Sequence, residues 1–162
     1  MSWLKIAFMG FCVFSLQYSV SDYLIIRDLK PDFLIIFVMY VGHKYGSSAG
    51  VIAGFTIGLL EDFAGVGSLF GLAPLVKSTV GFFMGMLKGK YSSLSPITFH
   101  FIWMIIFFLS GFIYSFIRFQ TVYDSEPLLF FRLWLFSSVY TLVFLGIVQF
   151  MLPFHKIKDT HY

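Results

Sequence analysis

Few ionisable residues fall inside or against the apolar stretches of this chain, and any chemistry would start from them. Glu61 and Asp62 close the apolar run that begins near Ser48. Lys77 lies one turn into the next run, after Pro74. Ionisable groups at membrane depth usually pair with one another or line a pathway. A carboxylate corner and a lysine on either side of a glycine-rich turn could form an ion pair that staples the turn from both sides. Equally, Glu61 and Asp62 could mark a water boundary while the Lys77 head snorkels towards it. Neither arrangement is a catalytic constellation. Ser68 and His100 are nucleophile and base by type, but no nucleophile-elbow pattern surrounds Ser68. Gly65-Val66-Gly67-Ser68-Leu69-Phe70-Gly71 lacks the spacing of a dinucleotide fingerprint, and no strand pattern precedes it. The histidines and the single Cys12 show no metal-ligand spacing. The expectation is a non-enzyme, with no catalytic residues, cofactor or metal.

Composition sets the solvent. Of 162 residues, 59% are hydrophobic and 12% charged, with a mean hydropathy of +0.88. A soluble domain carries roughly 25% charged residues, so this chain reads as an integral membrane protein of a single domain, residues 1–162. The net charge of +3 comes from singly scattered basic residues, which argues against a nucleic-acid partner. Lipid is the implied surrounding.

Six spans follow from the apolar runs: 3–20, 31–43, 47–62, 74–88, 97–118 and 127–152. Lys5, the run from Ile6 to Leu16 and Ser19-Val20-Ser21 have the look of a signal peptide, but a polytopic chain is served equally by an uncleaved first helix. Pro31-Asp32 opens the second span, with Pro31 expected at the first helical position. The apolar run Phe33 to Val41 covers only roughly 14 Å, against a core of about 30 Å. Either flanking residues extend it or protein shelters it. Ser47 and Ser48 are capping candidates for a short third helix. The segment from Ala64 to Ala73 reads as a glycine-rich turn dipping into the protein.

The third span carries Gly46, Gly50, Gly54 and Gly58 at a spacing of four, and the fourth carries Gly81, Gly85 and Gly89 likewise. A glycine in a soluble helix costs about 1 kcal/mol relative to alanine. In lipid, small residues let helix backbones approach closely. The two stripes are natural partners for each other or for a third helix between them. Gly54 is expected to accept alanine but not leucine, and Phe107 reads as lipid-facing. Lys5, Lys44, Lys88, Lys90, Lys156 and Lys158 gather on the side of the termini, against Arg27, Lys30, Arg118 and Arg132 on the other. That excess places both termini in the cytoplasm.

One ordered set of residues resembles a known family. Pro31-Asp32, Tyr40, Gly46, Gly50, the run Gly54-Phe55-Thr56-Ile57-Gly58-Leu59-Leu60-Glu61-Asp62, then Gly67, Gly71-Leu72-Ala73-Pro74-Leu75 and Gly81 resemble the rod-shape-determining MreD family. The resemblance runs from Pro31 to Gly89 and weakens beyond; Glu61 before Asp62 departs from it. The candidate functional residues are the helix-packing and motif positions Pro31, Asp32, Gly46, Gly50, Gly54, Gly58, Asp62, Gly71, Pro74, Lys77, Gly81 and Gly85. The resemblance implies a multi-pass protein of the bacterial inner membrane. It implies a fold similar to the S components of energy-coupling-factor transporters: an all-α membrane bundle of six transmembrane helices with short second and third helices. It implies a non-catalytic role in the cell-elongation machinery that builds peptidoglycan. The implied partners are MreC, the elongation polymerase and transpeptidase, and MreB indirectly. A small-molecule carrier of the S-component kind is the alternative.

Overall fold

A computed structural model describes residues 3–20, 23–24, 30–64 and 69–154. The elements are α1 (Trp3–Val20), α2 (Phe33–Tyr45), α3 (Ser47–Phe63), α4 (Leu72–Met86), α5 (Pro96–Arg118), α6 (Gln120–Ser125) and α7 (Pro127–Met151). Helices α1, α5 and α7 are long and apolar enough to cross a membrane, and α2 and α4 are shorter apolar helices. The protein is therefore an all-helical, multi-pass membrane protein. The segment between α5 and α7, expected as a loop, contains the short helix α6.

Helix α2 is the central strut. Residues Leu34 to Met39, Val41, Gly42 and His43 are all buried, whereas on α1 only Ile6 and Gly10 are. Thirteen residues span roughly 20 Å, so α2 falls short of a bilayer core. Its neighbours shelter it instead: α1, α3 and α4 pack along it, and α7 touches it. No hydrophobic force drives such packing inside lipid, so close van der Waals fit has to hold it. On one side Leu34, Phe37, Val38 and Val41 meet Ala49, Ala53 and Ile57 of α3. On the other, Ile35, Ile36 and Met39 meet Val80 and Met84 of α4, Phe99, Trp103 and Phe107 of α5, Leu145 of α7 and Phe154. Phe107, read from sequence as lipid-facing, is a core residue, 4% exposed. The faces of α1, α5 and α7 turned away from this core carry large exposed apolar side chains such as Phe8, Phe101, Leu109, Phe136 and Val143.

Capping departs from the expected scheme. Asp32 is itself the N-cap of α2, its Oδ1 accepting from Ile35 N at 2.9 Å. Pro31 therefore precedes the cap rather than occupying the first helical position. An aspartate cap satisfies one of the four donors left open at a helix start. Gln17 of α1 does similar work from outside: its Oε1 accepts from Phe33 N at 2.8 Å and its Nε2 donates to Pro31 O at 2.9 Å. Neither Ser47 nor Ser48 caps α3. That position belongs to Gly46 at φ +97°, while Ser47 Oγ donates across to Phe82 O of α4 at 3.0 Å.

Candidate functional site: a glycine seam, a buried charge knot and a cavity

The α3/α4 pair is joined along glycine. A Cβ added at Gly50 would meet the Gly81 carbonyl, at Gly54 the Lys77 carbonyl, at Gly58 the backbone of Pro74, and at Gly85 the backbone of Ser47, all well inside 3.0 Å. The partner number falls as the α3 number rises, so the helices run antiparallel with backbones in contact. Gly42 of α2 enters the same seam, against Gly81 and Gly85. It lies four residues before Gly46, so extending the spacing backwards would have found it. Gly46 and Gly71 serve differently, each holding a φ of +97° that side chains with a Cβ rarely adopt. An alanine at Gly54 would collide with backbone, so the sequence-based expectation that it is accepted does not hold.

The charges converge at the opposite end of the seam from Gly85. Lys77 is buried, its side chain 3% exposed. Its Nζ lies 2.6 Å from Glu61 Oε2 and 3.0 Å from Asp32 Oδ2. Moving an ammonium out of water costs several kcal/mol, and excellent geometry is needed to offset it. Two carboxylates, from α3 and from the α2 cap, supply that geometry. The Tyr114 ring of α5 adds a face 5.8 Å from Nζ. Asp62 takes no part in this pair. Its Oδ2 accepts from Gly71 N at 2.6 Å and so ties the end of α3 to the start of α4. Of the two sequence readings of this corner, the ion pair is the one formed, through Glu61 alone and with a third member, Asp32, that the sequence did not suggest. Ser68, Gly65 and Gly67 lie outside the described residues, as do Arg27 and the tail from His155. His100 accepts at Nδ1 from Trp103 Nε1 at 2.9 Å.

Beside the knot lies a cavity of about 500 Å³, bounded by α1, the start of α2, Glu61, α5 and α7. Its walls mix Phe107, Phe130 and Trp134 with Tyr18, Asp32 and Arg118. Among the described residues, no group of three or more histidines, cysteines or carboxylates could hold a metal ion.

A family model described as "rod shape-determining protein MreD" matches residues 2–153. The chain belongs to the MreD family. That membership implies a role in rod-shape determination, in a family that is generally non-catalytic. Comparison with curated proteins gave no match, and comparison with solved structures gave none.

Proposed function

We propose that the protein is a non-catalytic scaffold of the bacterial cell-elongation complex. It would sit in the inner membrane as a single domain of six spans (α1 to α5 and α7), with an S-component-like path and both termini in the cytoplasm. MreC is the direct partner in this reading. The peptidoglycan polymerase and transpeptidase of elongation, and MreB, are reached through it. The observation that carries the reading is the family match over residues 2–153. The physical character of the chain supports it. Its buried Glu61, Asp62 and Lys77, with the half-buried Asp32, are spent on joining helices. Its long helices keep broad apolar faces on which another membrane span could lie.

Affinity purification from mild detergent tests the partner assignment. MreC should co-purify in a fixed ratio to the bait, and should be lost when the bait is a variant that fails to fold. Recovery of the folded bait without MreC would overturn the assignment.

A further inference from the structure

The Gly85 end of the seam, opposite the charge knot, carries charge of one sign. There α2 ends in Lys44 and Tyr45, and the chain leaves α4 at Met86 through Lys88 and Lys90 towards α5. Lys5 belongs to the same end, because Gln17, near the far end of α1, meets the start of α2. The described carboxylates lie elsewhere: Asp32 and Glu61 in the knot, Asp62 at the corner of α3 and α4, Asp124 in α6 and Glu126 before α7. Beyond the described residues the sequence has Lys156, Lys158 and Asp159, which do not reverse the sign. Lys88 is already engaged within the chain. Lys44 and Lys90 are exposed.

The backbones that carry these two lysines are fixed relative to each other. His43, next to Lys44, and Tyr91, next to Lys90, both pack edge-on against the buried ring of Phe99, at centroid distances of 5.5 Å and 5.2 Å. The Lys90 turn is also closed on itself. Lys90 N donates to Leu87 O at 3.2 Å, and Lys90 O accepts from Ser93 N at 3.2 Å and from Leu94 N at 3.0 Å. The dipole of α2 accounts for a lysine in its last turn. It does not account for Lys90, which lies beyond the end of α4.

Two ammonium groups at fixed places, with no described carboxylate at their end of the molecule, call for an anion. The surroundings select its class. Met86, Ile97 and Phe101, within two turns of the Lys90 turn along the chain, are exposed apolar side chains. A soluble anion or an acidic peptide leaves them bare, whereas a lipid meets both the charge and the apolar surface. Basic clusters at a membrane boundary are a recurring means of holding anionic headgroups.

We propose that Lys44 and Lys90 form a headgroup site for an anionic phospholipid. The phosphate oxygens accept from the two ammonium groups, and the acyl chains lie along the apolar side chains of α4 and α5. The site depends neither on the scaffold reading nor on which side of the membrane this end faces, since either side is a boundary between lipid and water.

The test uses the full chain, purified and delipidated in detergent, with binding read by native mass spectrometry. The probes are palmitoyl-oleoyl phosphatidylglycerol, the matching zwitterionic phosphatidylethanolamine, free glycerol phosphate and a glutamate-rich peptide. Phosphatidylglycerol should bind at least about fivefold more tightly than phosphatidylethanolamine. Lys44→Gln and Lys90→Gln should each weaken phosphatidylglycerol binding by about fivefold, which corresponds to about 1 kcal/mol for each lysine near an anionic surface, and should leave phosphatidylethanolamine unmoved. Lys90→Arg keeps the charge and should bind as the parent does. Arg132→Gln, exposed in α7, removes the same net charge away from the site and should change neither lipid. Equal affinity for the two lipids would mean annular lipid only and would overturn the proposal. So would an Arg132→Gln variant weakened as much as Lys90→Gln, which would make the preference one of net charge. Binding of glycerol phosphate or of the acidic peptide as tight as that of phosphatidylglycerol, and lost in Lys90→Gln, would overturn the lipid assignment in favour of a soluble anion or an acidic protein segment.

Discussion

The Cα of Gly54 in α3 lies against the carbonyl of Lys77 in α4, so closely that one added methyl carbon would overlap that carbonyl. The same Lys77 carries the buried ammonium held by Glu61 and Asp32. The glycine seam and the charge knot are thus two sides of one residue: the seam brings the Lys77 backbone to α3, and the knot ties its side chain to α3 and α2.

Gly54→Ala should therefore destabilise the protein. Overpacking a tight core costs about 1–3 kcal/mol, and backbone cannot rotate out of the way as a side chain can. Gly146→Ala in α7 is the matched control, since a Cβ there meets nothing within 4 Å. Thermal unfolding in detergent should show a lower midpoint for Gly54→Ala and an unchanged or slightly raised one for Gly146→Ala. Equal midpoints would remove the seam as a packing surface.

Lys77→Met leaves Glu61 buried without its counter-ion. Removing one partner of a buried pair typically costs about 3–5 kcal/mol. Adding Glu61→Gln to that variant removes the stranded charge and should recover a substantial part of the loss. Asp32, more exposed at 38%, is stranded less by the loss of Lys77. The check is the unfolding midpoint of the parent, the single variant and the double variant. A double variant less stable than Lys77→Met would show that Glu61 is not held chiefly by Lys77.

Asp62→Ala should open the connection between α3 and α4. It removes the acceptor of the Gly71 N–H, a charge-assisted bond worth about 1.5–3 kcal/mol. Gly71→Ala should add its own cost of about 1–2 kcal/mol, because φ +97° suits glycine. Limited proteolysis should cut the segment between α3 and α4 faster in both variants than in the parent.

Much of this was legible in the residues, and the limits are instructive. The glycines at a spacing of four announced close helix contact because a repeat of four is a local signal on one helix. The membrane class followed from composition. Asp32 as the second partner of Lys77 was not legible, because the two lie 45 residues apart and no local pattern links them. Asp62 and Glu61 looked equivalent as neighbours, yet successive helix positions point about 100° apart. One therefore faces Lys77 and the other Gly71. Phe107 was misread because an apolar side chain looks the same in lipid and in a protein core; only the packing of α5 distinguishes them. The cavity arises from the spacing of α1, α5 and α7, which no stretch of sequence encodes alone.

Orientation is checked by reporter fusion. Alkaline phosphatase joined after Lys90 should be inactive, and after Asp124 active. On the proposed orientation, the positive-inside rule places the side that carries the lysines at 44, 88 and 90 in the cytoplasm. The reverse pattern would put the charge knot on the cytoplasmic side and both termini outside.

The most direct test of the rod-shape assignment is cell width during depletion and resupply in a rod-shaped host. Cells losing the protein should widen and round. Resupplied parent or Gly146→Ala should restore rods, and Gly54→Leu, unable to close the seam, should not. Cells that remain rods after depletion, while uptake of a vitamin fails, would contradict the scaffold account and favour the carrier.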